Sequence, residues 1–465
     1  MLHFTRRQLF STYLCKTGFY AGLPFSSISF AKEEIAPVDL VCNTKGNIAS
    51  SIKKPWFAKN PAKPVREVNN LKPETPKTYP QAARSEKSSA DITEKSDDLR
   101  GVYHWGTSVL LLVQKYQQNP LRASRILSYV QVAMHDAWTL TEVELGKEHH
   151  ASAVCEFASH RAASLLLGHF YPNESKERFE AEFVYLTEKL GVASQDRALA
   201  IKTGEVVAAQ LIDRSWQDGA ARVWNLKLRP ATFDGIWSPA FPLYAVNPTE
   251  GMAAQWQPWV KPTANRYIPP KAALPGSSSY EREIQQVIDV SKQLTAGEAE
   301  AAQRWNLEAG SVTPAGVWFQ LAKEEIRKNL THCDKGFINI FALCVLTDLA
   351  VAMHDAFIAC WAIKFRDWTE RPITAIRRSA NPEFLPLLVT PSFPSYVSGH
   401  ATISAAAASV LSHHFPNQQK NYRLLAEEAA SSRLWGGIHF DNDNKQGLLL
   451  GSSVGSEVLL SKQKS

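Results

Sequence analysis

The chain has 465 residues, of which 45% are apolar and 21% charged. That is globular composition, with length for one large domain or two to three ordinary ones. Part of the formal charge of +6 comes from Arg6, Arg7 and Lys16, and the remainder is too balanced for a nucleic-acid binder working through a basic face.

The first 31 residues have the layout of a cleavable export signal. Arg6-Arg7 precede a weakly apolar stretch, and Ser29-Phe30-Ala31 stand before Lys32. The twin arginine resembles a bacterial Tat signal, whose route carries folded proteins. Lys16 interrupts the apolar stretch, which fits Tat better than Sec. This reading places the mature protein in the periplasm or outside the cell. The plain alternative is a tail with two chance arginines.

Residues 32–100 hold seven prolines between Pro37 and Pro80, many Lys, Glu and Ser, and few large apolar residues. Such a segment buries too little surface to offset its ordering entropy. It reads as a flexible leader.

From residue 101 the pattern becomes helical. Ile126, Tyr129, Val130, Ala133 and Ala137 recur at helical spacing, and 197–216 and 281–303 read the same way. Residues 222–280, rich in Pro and Trp, read as a long ordered loop, and loops of that length are often functional. The expected organisation is a helical region over 101–310 and a C-terminal catalytic bundle over 311–465. The fold class is all-α, a multi-helix bundle.

Ala133-Met134-His135-Asp136-Ala137-Trp138 recurs as Ala352-Met353-His354-Asp355-Ala356-Phe357. Both copies lie in helical sequence, which suggests two related helical halves, although so short an identity also arises by chance. The most apolar stretch, Ile340 to Ile363, is cut by Asp348, His354 and Asp355. It reads as a buried helix rather than a stable membrane span. The six cysteines are scattered with no CxxC pair, which signals neither a zinc site nor a disulfide scaffold. Cys344 and Cys360 read as core residues.

Three later segments carry chemistry. In Lys364-Phe-Arg-Asp-Trp-Thr-Glu-Arg371-Pro372, a lysine ends a long apolar helix and an arginine follows just before proline. Pro372 pushes Arg371 out of helical conformation, so two cations converge from a helix end and the turn after it. In Pro394-Ser395-Tyr396-Val397-Ser398-Gly399-His400, the last three residues open an Ala-rich helix. Free backbone N–H groups and the helix dipole favour an anion there. In Ser432-Arg433-Leu-Trp-Gly-Gly-Ile-His439-Phe-Asp-Asn-Asp443, Gly436 and Gly437 break a helix and fold His439 back. Asp443 stands where it can accept the other ring N–H of His439.

Three cations, a hydroxyl, a backbone amide and two histidines suit a tetrahedral or trigonal-bipyramidal oxyanion. One histidine would attack or ligate the central atom, and the other would transfer protons. Singly, each residue has a plainer reading. Lys364 and Arg371 are solvated cations on it, as Arg366, Arg377 and Arg378 are expected to be. Ser398 is an ordinary helix cap, His439 a loop histidine and Asp443 a turn cap.

At these residues the sequence resembles the superfamily of vanadium-dependent haloperoxidases, type 2 phosphatidic acid phosphatases and bacterial acid phosphatases. Its signature, KX6RP, then PSGH, then SRX5HX3D, stands here as Lys364 to Pro372, Val397 to His400, and Ser432 to Asp443. Val397 replaces the proline before Ser398, a position that gives no functional group. Ser124-Arg125-Ile126-Leu127 through Ala137, Thr313-Pro314-Ala315-Gly316 with Trp318, and Asp443-Asn444 running into Gly447 and Gly451 also look like bacterial haloperoxidase-like proteins. The resemblance covers most of 115–460, most strongly from 340 onward.

The resemblance implies that Lys364, Arg371, Ser398, Gly399 and Arg433 hold the oxygens of a vanadate, with phosphate as the competing oxyanion. His439 would ligate the vanadium, or become phosphorylated in a phosphatase. His400 would act as acid–base. Lys364 would polarise bound peroxide, which halide attacks to give hypohalous acid. Bromide and iodide are easier to oxidise than chloride.

Three features lean towards a haloperoxidase over an exported acid phosphatase acting on phosphate esters. The chain is longer than compact acid phosphatases and lacks the spans of lipid phosphatases. Trp361 and Phe393 stand at offsets where fungal chloroperoxidases of the family carry the same residue types, on the halide side of the pocket. They also read as core aromatics. A third reading is a non-catalytic oxyanion-binding protein, against which the pair His400 and His439 argues. Oligomeric state and any organic substrate are not legible.

Overall fold

Helix-forming sequence dominates from residue 101, and the computed structural model describes residues 54–57, 101–146, 151–231, 233–329 and 335–463. The expected export signal lies outside the described residues, as does the leader apart from 54–57. Among the described residues there are thirteen α-helices and no strand. They are α1 (His104–Lys115), α2 (Pro120–Leu145), α3 (Ala151–Phe170), α4 (Lys176–Thr187), α5 (Ser194–Gln217), α6 (Ser278–Gln293) and α7 (Ala296–Arg304). Then come α8 (Thr313–Asn329), α9 (Lys335–Asp367), α10 (Pro372–Ser379), α11 (Gly399–His414), α12 (Gln419–Trp435) and α13 (Asp441–Gln463).

The helices form two packed groups. In the first, α2, α3 and α5 pack on one another. In the second, α9, α11, α12 and α13 do so, and α2 against α9 joins the groups. By composition and length α9 is apolar enough to cross a membrane from Asn339 to Asp367, but its most apolar 18 residues are wholly buried within the protein. A helix apolar all round is stable when other helices cover every face, and α9 is the central core helix. Cys155, Cys344 and Cys360 are buried and free.

Local chemistry sets the helix ends. Asn119 caps α2 by accepting from the N–H groups of Leu121 and Arg122, with Pro120 in the first turn, where its missing N–H costs nothing. Residues 281–303 are two helices rather than one. Thr295 and Glu298 form a reciprocal capping box that starts α7 afresh, a stronger local signal than the continuing periodicity.

The α13 helix approaches α11 closely along Gly447, Gly451 and Gly455. A Cβ at Gly451 would lie 2.0 Å from the Thr402 carbonyl oxygen, and one at Gly447 2.8 Å from that of Ser398. Only glycine permits this approach. It sets the start of α13 beside the start of α11, where the Ser398 N–H donates to the Asp443 carbonyl at 2.9 Å.

The stretch between α5 and α6 holds only two short 3-10 turns, Leu226–Leu228 and Ala253–Gln255. It is stitched to the segments that carry the candidate site. Glu370 N–H donates to Gly235 O at 2.8 Å and Thr249 N–H to Ser392 O at 2.8 Å. Tyr396 Oη donates to Pro270 O at 2.8 Å.

The repeated helical motif has a structural meaning. Asp355 on α9 accepts from the backbone N–H groups of Trp259 and Val260, each at 2.9 Å. Asp136 on α2 accepts from those of Trp56 and Phe57, at 2.6 and 2.8 Å. The docked segments are Pro258-Trp259-Val260 and Pro55-Trp56-Phe57. Phe57 and Trp259 meet edge to face with ring centres 6.3 Å apart, and the Arg214 guanidinium lies over both rings. Residues 54–57 are therefore an anchored part of the fold and not free leader. Two charge-assisted hydrogen bonds and two aromatic rings hold them, which average composition does not reveal.

Candidate active site

Each site residue is placed by an element end. Lys364 lies in the last turns of α9 and is fully buried. Its Nζ donates to the carbonyls of Pro394 and Ser395, both at 2.8 Å. Arg371 precedes α10 with φ −89° and ψ 155°, the extended conformation that Pro372 enforces. Its Nε donates to Phe393 O and its Nη1 to Ile438 O, both at 2.8 Å. Arg433 lies in the last turn of α12 and donates to Ser432 Oγ at 2.9 Å and Ala302 O at 3.0 Å.

Gly436 and Gly437 end α12, and Gly437 has φ +70°. This left-handed turn brings His439 back to Arg371, whose Nη1 donates to His439 Nε2 at 2.9 Å. The other ring nitrogen, Nδ1, lies 2.8 Å from Asp443 Oδ2. Asp443 carries no proton donor when ionised, so Nδ1–H donates and Nε2 holds a lone pair. Ser398 caps α11 and accepts from Ala401 N–H at 3.4 Å. Gly399 opens that helix and lies against Trp361, whose ring a Cβ there would meet at 3.5 Å.

His400, partly buried, turns its ring to the backbone carbonyls of Trp305 and Asn306, while its Nε2 is buried without a partner. Trp361 and Phe393 stand with ring centres 4.9 Å apart. Lys364 Nζ lies 5.6 Å from the Trp361 ring and 5.1 Å from the Phe393 ring. Trp361 Nε1 donates to Thr249 O at 3.2 Å.

The electrostatics are those of cations gathered in a dry place. Burial pushes both Arg371 and Arg433 down to about 9 and lowers Lys364 as well. Burial, then the nearby cations, hold His439 and His400 well below the ordinary histidine value, so both rings are neutral. Burial raises the Asp443 carboxyl, and its hydrogen bond from Ser395 and the neighbouring cations oppose that rise.

The structure thus gathers Lys364, Arg371, Ser398, Gly399, His400, Arg433, His439 and Asp443 at the adjoining ends of α9, α10, α11, α12 and α13. Trp361 and Phe393 flank Lys364. Arg366, Arg377 and Arg378, expected to be solvated, are all engaged. Arg366 pairs with Asp367, Arg377 Nε donates to Phe384 O, and Arg378 grips Glu370 through two bonds of 2.6 Å. Glu370 is buried beside Arg371 and also accepts from Tyr280 Oη, so this staple fixes the turn that presents Arg371.

Sequence reasoning gave no role to Ser395, whose Oγ donates to Asp443 Oδ2 at 2.5 Å, or to Trp305 and Asn306. Ser395 lay in view, three residues before Ser398. The two carbonyls carry no side-chain signal at all.

The donor set fits an oxyanion. Arg371 Nη2 and His400 Nε2 are buried with no protein partner, and buried polar atoms ordinarily have one. Cationic forks, a helix start and a neutral ring lone pair match an anion's oxygens and its central atom.

Residues 345–424 and 418–465 match the family model described as VCPO second helical-bundle domain. The C-terminal bundle is thus similar to that family's second helical-bundle domain. Solved structures share the fold across most of the chain. A bacterial vanadium-dependent iodoperoxidase aligns with TM-score 0.61 and 24% identity, over 77% of this chain and 95% of that one. A holo-type bacterial vanadium-dependent chloroperoxidase aligns with TM-score 0.58 and 14% identity, over 75% and 93%. Its apo-type counterpart gives 0.57 and 15%, over 74% and 93%. No curated protein sequence matches the chain. In superfamily terms, the KX6RP, PSGH-like and SRX5HX3D segments are the three that converge here.

Proposed function

We propose that the protein is a vanadate-dependent haloperoxidase that turns hydrogen peroxide, halide and a proton into hypohalous acid and water, with bromide or iodide favoured over chloride. One observation carries this reading. His439 is locked with its lone pair on Nε2, within a buried set of three cations. Lys364, Arg371, Ser398, Gly399 and Arg433 would hold the vanadate oxygens, and His439 Nε2 would ligate the vanadium. When bound, vanadate supplies a Lewis-acid centre at which peroxide is activated.

The chain's own groups do the rest. Lys364, held by two carbonyls, keeps a positive charge or a proton beside the reacting oxygen. His400 Nε2 accepts and returns a proton. The Trp361–Phe393 pair gives the Lys364 side of the pocket an aromatic wall, suited to a large, weakly hydrated halide. That wall, and the fold shared with an iodoperoxidase and a chloroperoxidase, support the haloperoxidase over a phosphatase built on the same oxyanion set.

The test uses the chain from Lys32, stripped of phosphate and loaded with orthovanadate, and follows peroxide-dependent halogenation of a chromogenic acceptor. Vanadate-dependent turnover with bromide or iodide that is lost in His439→Ala is the expected result. No turnover with either halide from acid to neutral pH overturns the reading, and phosphate-ester hydrolysis by vanadate-free protein would then favour the phosphatase.

We also propose export to the periplasm or beyond, on the strength of Arg6-Arg7 and Ser29-Phe30-Ala31. Fusing residues 1–31 to a reporter that is active only after folded export tests it. Export that survives Arg6→Lys with Arg7→Lys would count against the twin-arginine route.

A further inference from the structure

Ser395, two residues before the Val397–His400 segment, is bonded to both of the other signature segments. It lies in the turn between α10 and α11 and is fully buried. Its carbonyl accepts from Lys364 Nζ at 2.8 Å. Its backbone N–H donates to Thr369 O at 3.0 Å, in the turn that leads to Arg371. Its Oγ donates to Asp443 Oδ2 at 2.5 Å and lies 3.4 Å from His439 Nδ1.

The proton count decides what this hydroxyl does. A serine hydroxyl has one proton, and here it points at the carboxylate. It therefore has only lone pairs to offer His439 Nδ1. Asp443 Oδ2, 2.8 Å from the same nitrogen, also accepts only. Both neighbours of Nδ1 demand a proton there. The Phe440 N–H adds a weaker bond to Oδ2 at 3.3 Å, so Ser395 is the strong donor that fixes the rotation of the carboxylate.

We propose that Ser395 is a positioning residue that, through Asp443 and together with the Arg371 N–H that Nε2 accepts, holds His439 in the single tautomer with Nε2 unprotonated. Its carbonyl ties the Lys364 ammonium to the same point. A slip of the 394–395 turn would move ammonium and imidazole together, so the two groups stay in register across separate helices. The inference rests on the reading of His439 as the oxyanion's ligand, but its first test does not depend on turnover.

The test compares wild type with Ser395→Ala, each with ¹⁵N-labelled histidine and free of oxyanion. The His439 signals are assigned by their loss in His439→Gln. Wild type should show one protonated ring nitrogen at Nδ1 and one bare nitrogen at Nε2. The alanine variant should show averaged or doubled nitrogen signals. It should also bind orthovanadate about 10- to 100-fold more weakly, the usual cost of losing an outer partner. Ser395→Cys keeps nearly the same volume with a far weaker donor, and should shift both readouts in the same direction if the alanine variant does not fold.

A variant with wild-type nitrogen signals and wild-type vanadate affinity overturns the proposal. Wild type that shows the single tautomer and binds vanadate, yet oxidises no halide, overturns the haloperoxidase reading and leaves this one standing.

Discussion

Asp136 and Asp355 hold their Pro-Trp segments in the same way, each carboxylate taking two consecutive backbone N–H groups. The equivalence extends the repeated Ala-Met-His-Asp motif from sequence into a shared device. It also marks a difference between the halves. The residue nine positions after Asp355 is Lys364, whereas the residue nine positions after Asp136 is Leu145. The candidate site residue Lys364 thus follows only the second copy of the motif.

Removing residues before 101 strips the Asp136 carboxylate, buried in the intact fold, of the Trp56 and Phe57 N–H donors. Losing partners of a buried charge costs about 2–4 kcal/mol. Urea unfolding of the chain from Lys32 against the chain from Gly101 should show a loss of that size. Asp136→Asn should recover part of it in the short chain but destabilise the long one. Equal stability of the two chains would show that the anchored segment contributes nothing.

Burial pushes the Asp355 carboxyl up to about 7, against about 3.9 in an unfolded chain. The folded state thus binds the proton more readily than the unfolded state between those values. The stability that this group contributes is present at acid pH and falls as pH rises towards 7. Asp355→Asn cannot titrate. The stability gap between wild type and this variant should therefore favour wild type most near pH 4.5 and shrink by pH 7.5. A gap that stays constant across that range would contradict the direction.

Three buried cations that Asp443 and Glu308 only partly offset oppose folding, and an oxyanion relieves them. Orthovanadate and, more weakly, phosphate should raise the melting temperature. At a hundred times the dissociation constant the gain is about 2.7 kcal/mol. Arg371→Ala should lose most of this response, because it removes the donor nearest His439. An identical thermal response in the variant would place the anion elsewhere.

Gly451→Ala should be severe for its size. The added Cβ would lie 2.0 Å from the Thr402 carbonyl oxygen, so α13 must move off α11. Overpacking of this kind costs about 1–3 kcal/mol or more, and here it should also weaken vanadate binding by displacing Asp443. Thermal melts and vanadate titration together check this, and a variant that melts and binds as wild type would show that the helices separate freely.

The fold class and the candidate site were largely legible in the sequence. Polar residues at helix ends stand out against an apolar background, and Lys364, Arg371, His400 and His439 carry their chemistry in their side chains. What was hidden acts through the backbone or through distance. The carbonyls that meet His400 belong to Trp305 and Asn306, whose identities say nothing of them. Pro55-Trp56-Phe57 lies in a stretch whose composition is that of loose chain, and its anchor is a carboxylate some eighty positions away. The 281–303 region reads as helical throughout because periodicity runs through Thr295, where a cap in fact restarts it.

The burial of α9 bears on the export proposed above. The stretch from Asn339 to Asp367 is 29 residues long, and its most apolar 18 residues have mean hydropathy 1.7. A translocon that threads chains unfolded would meet this stretch naked, and a segment of that length and character can slip sideways into the lipid and stall there. A carrier that moves the finished bundle never meets it, because its apolar core is already covered. The core helix would thus suit the folded-export route proposed from the paired arginines at positions 6 and 7.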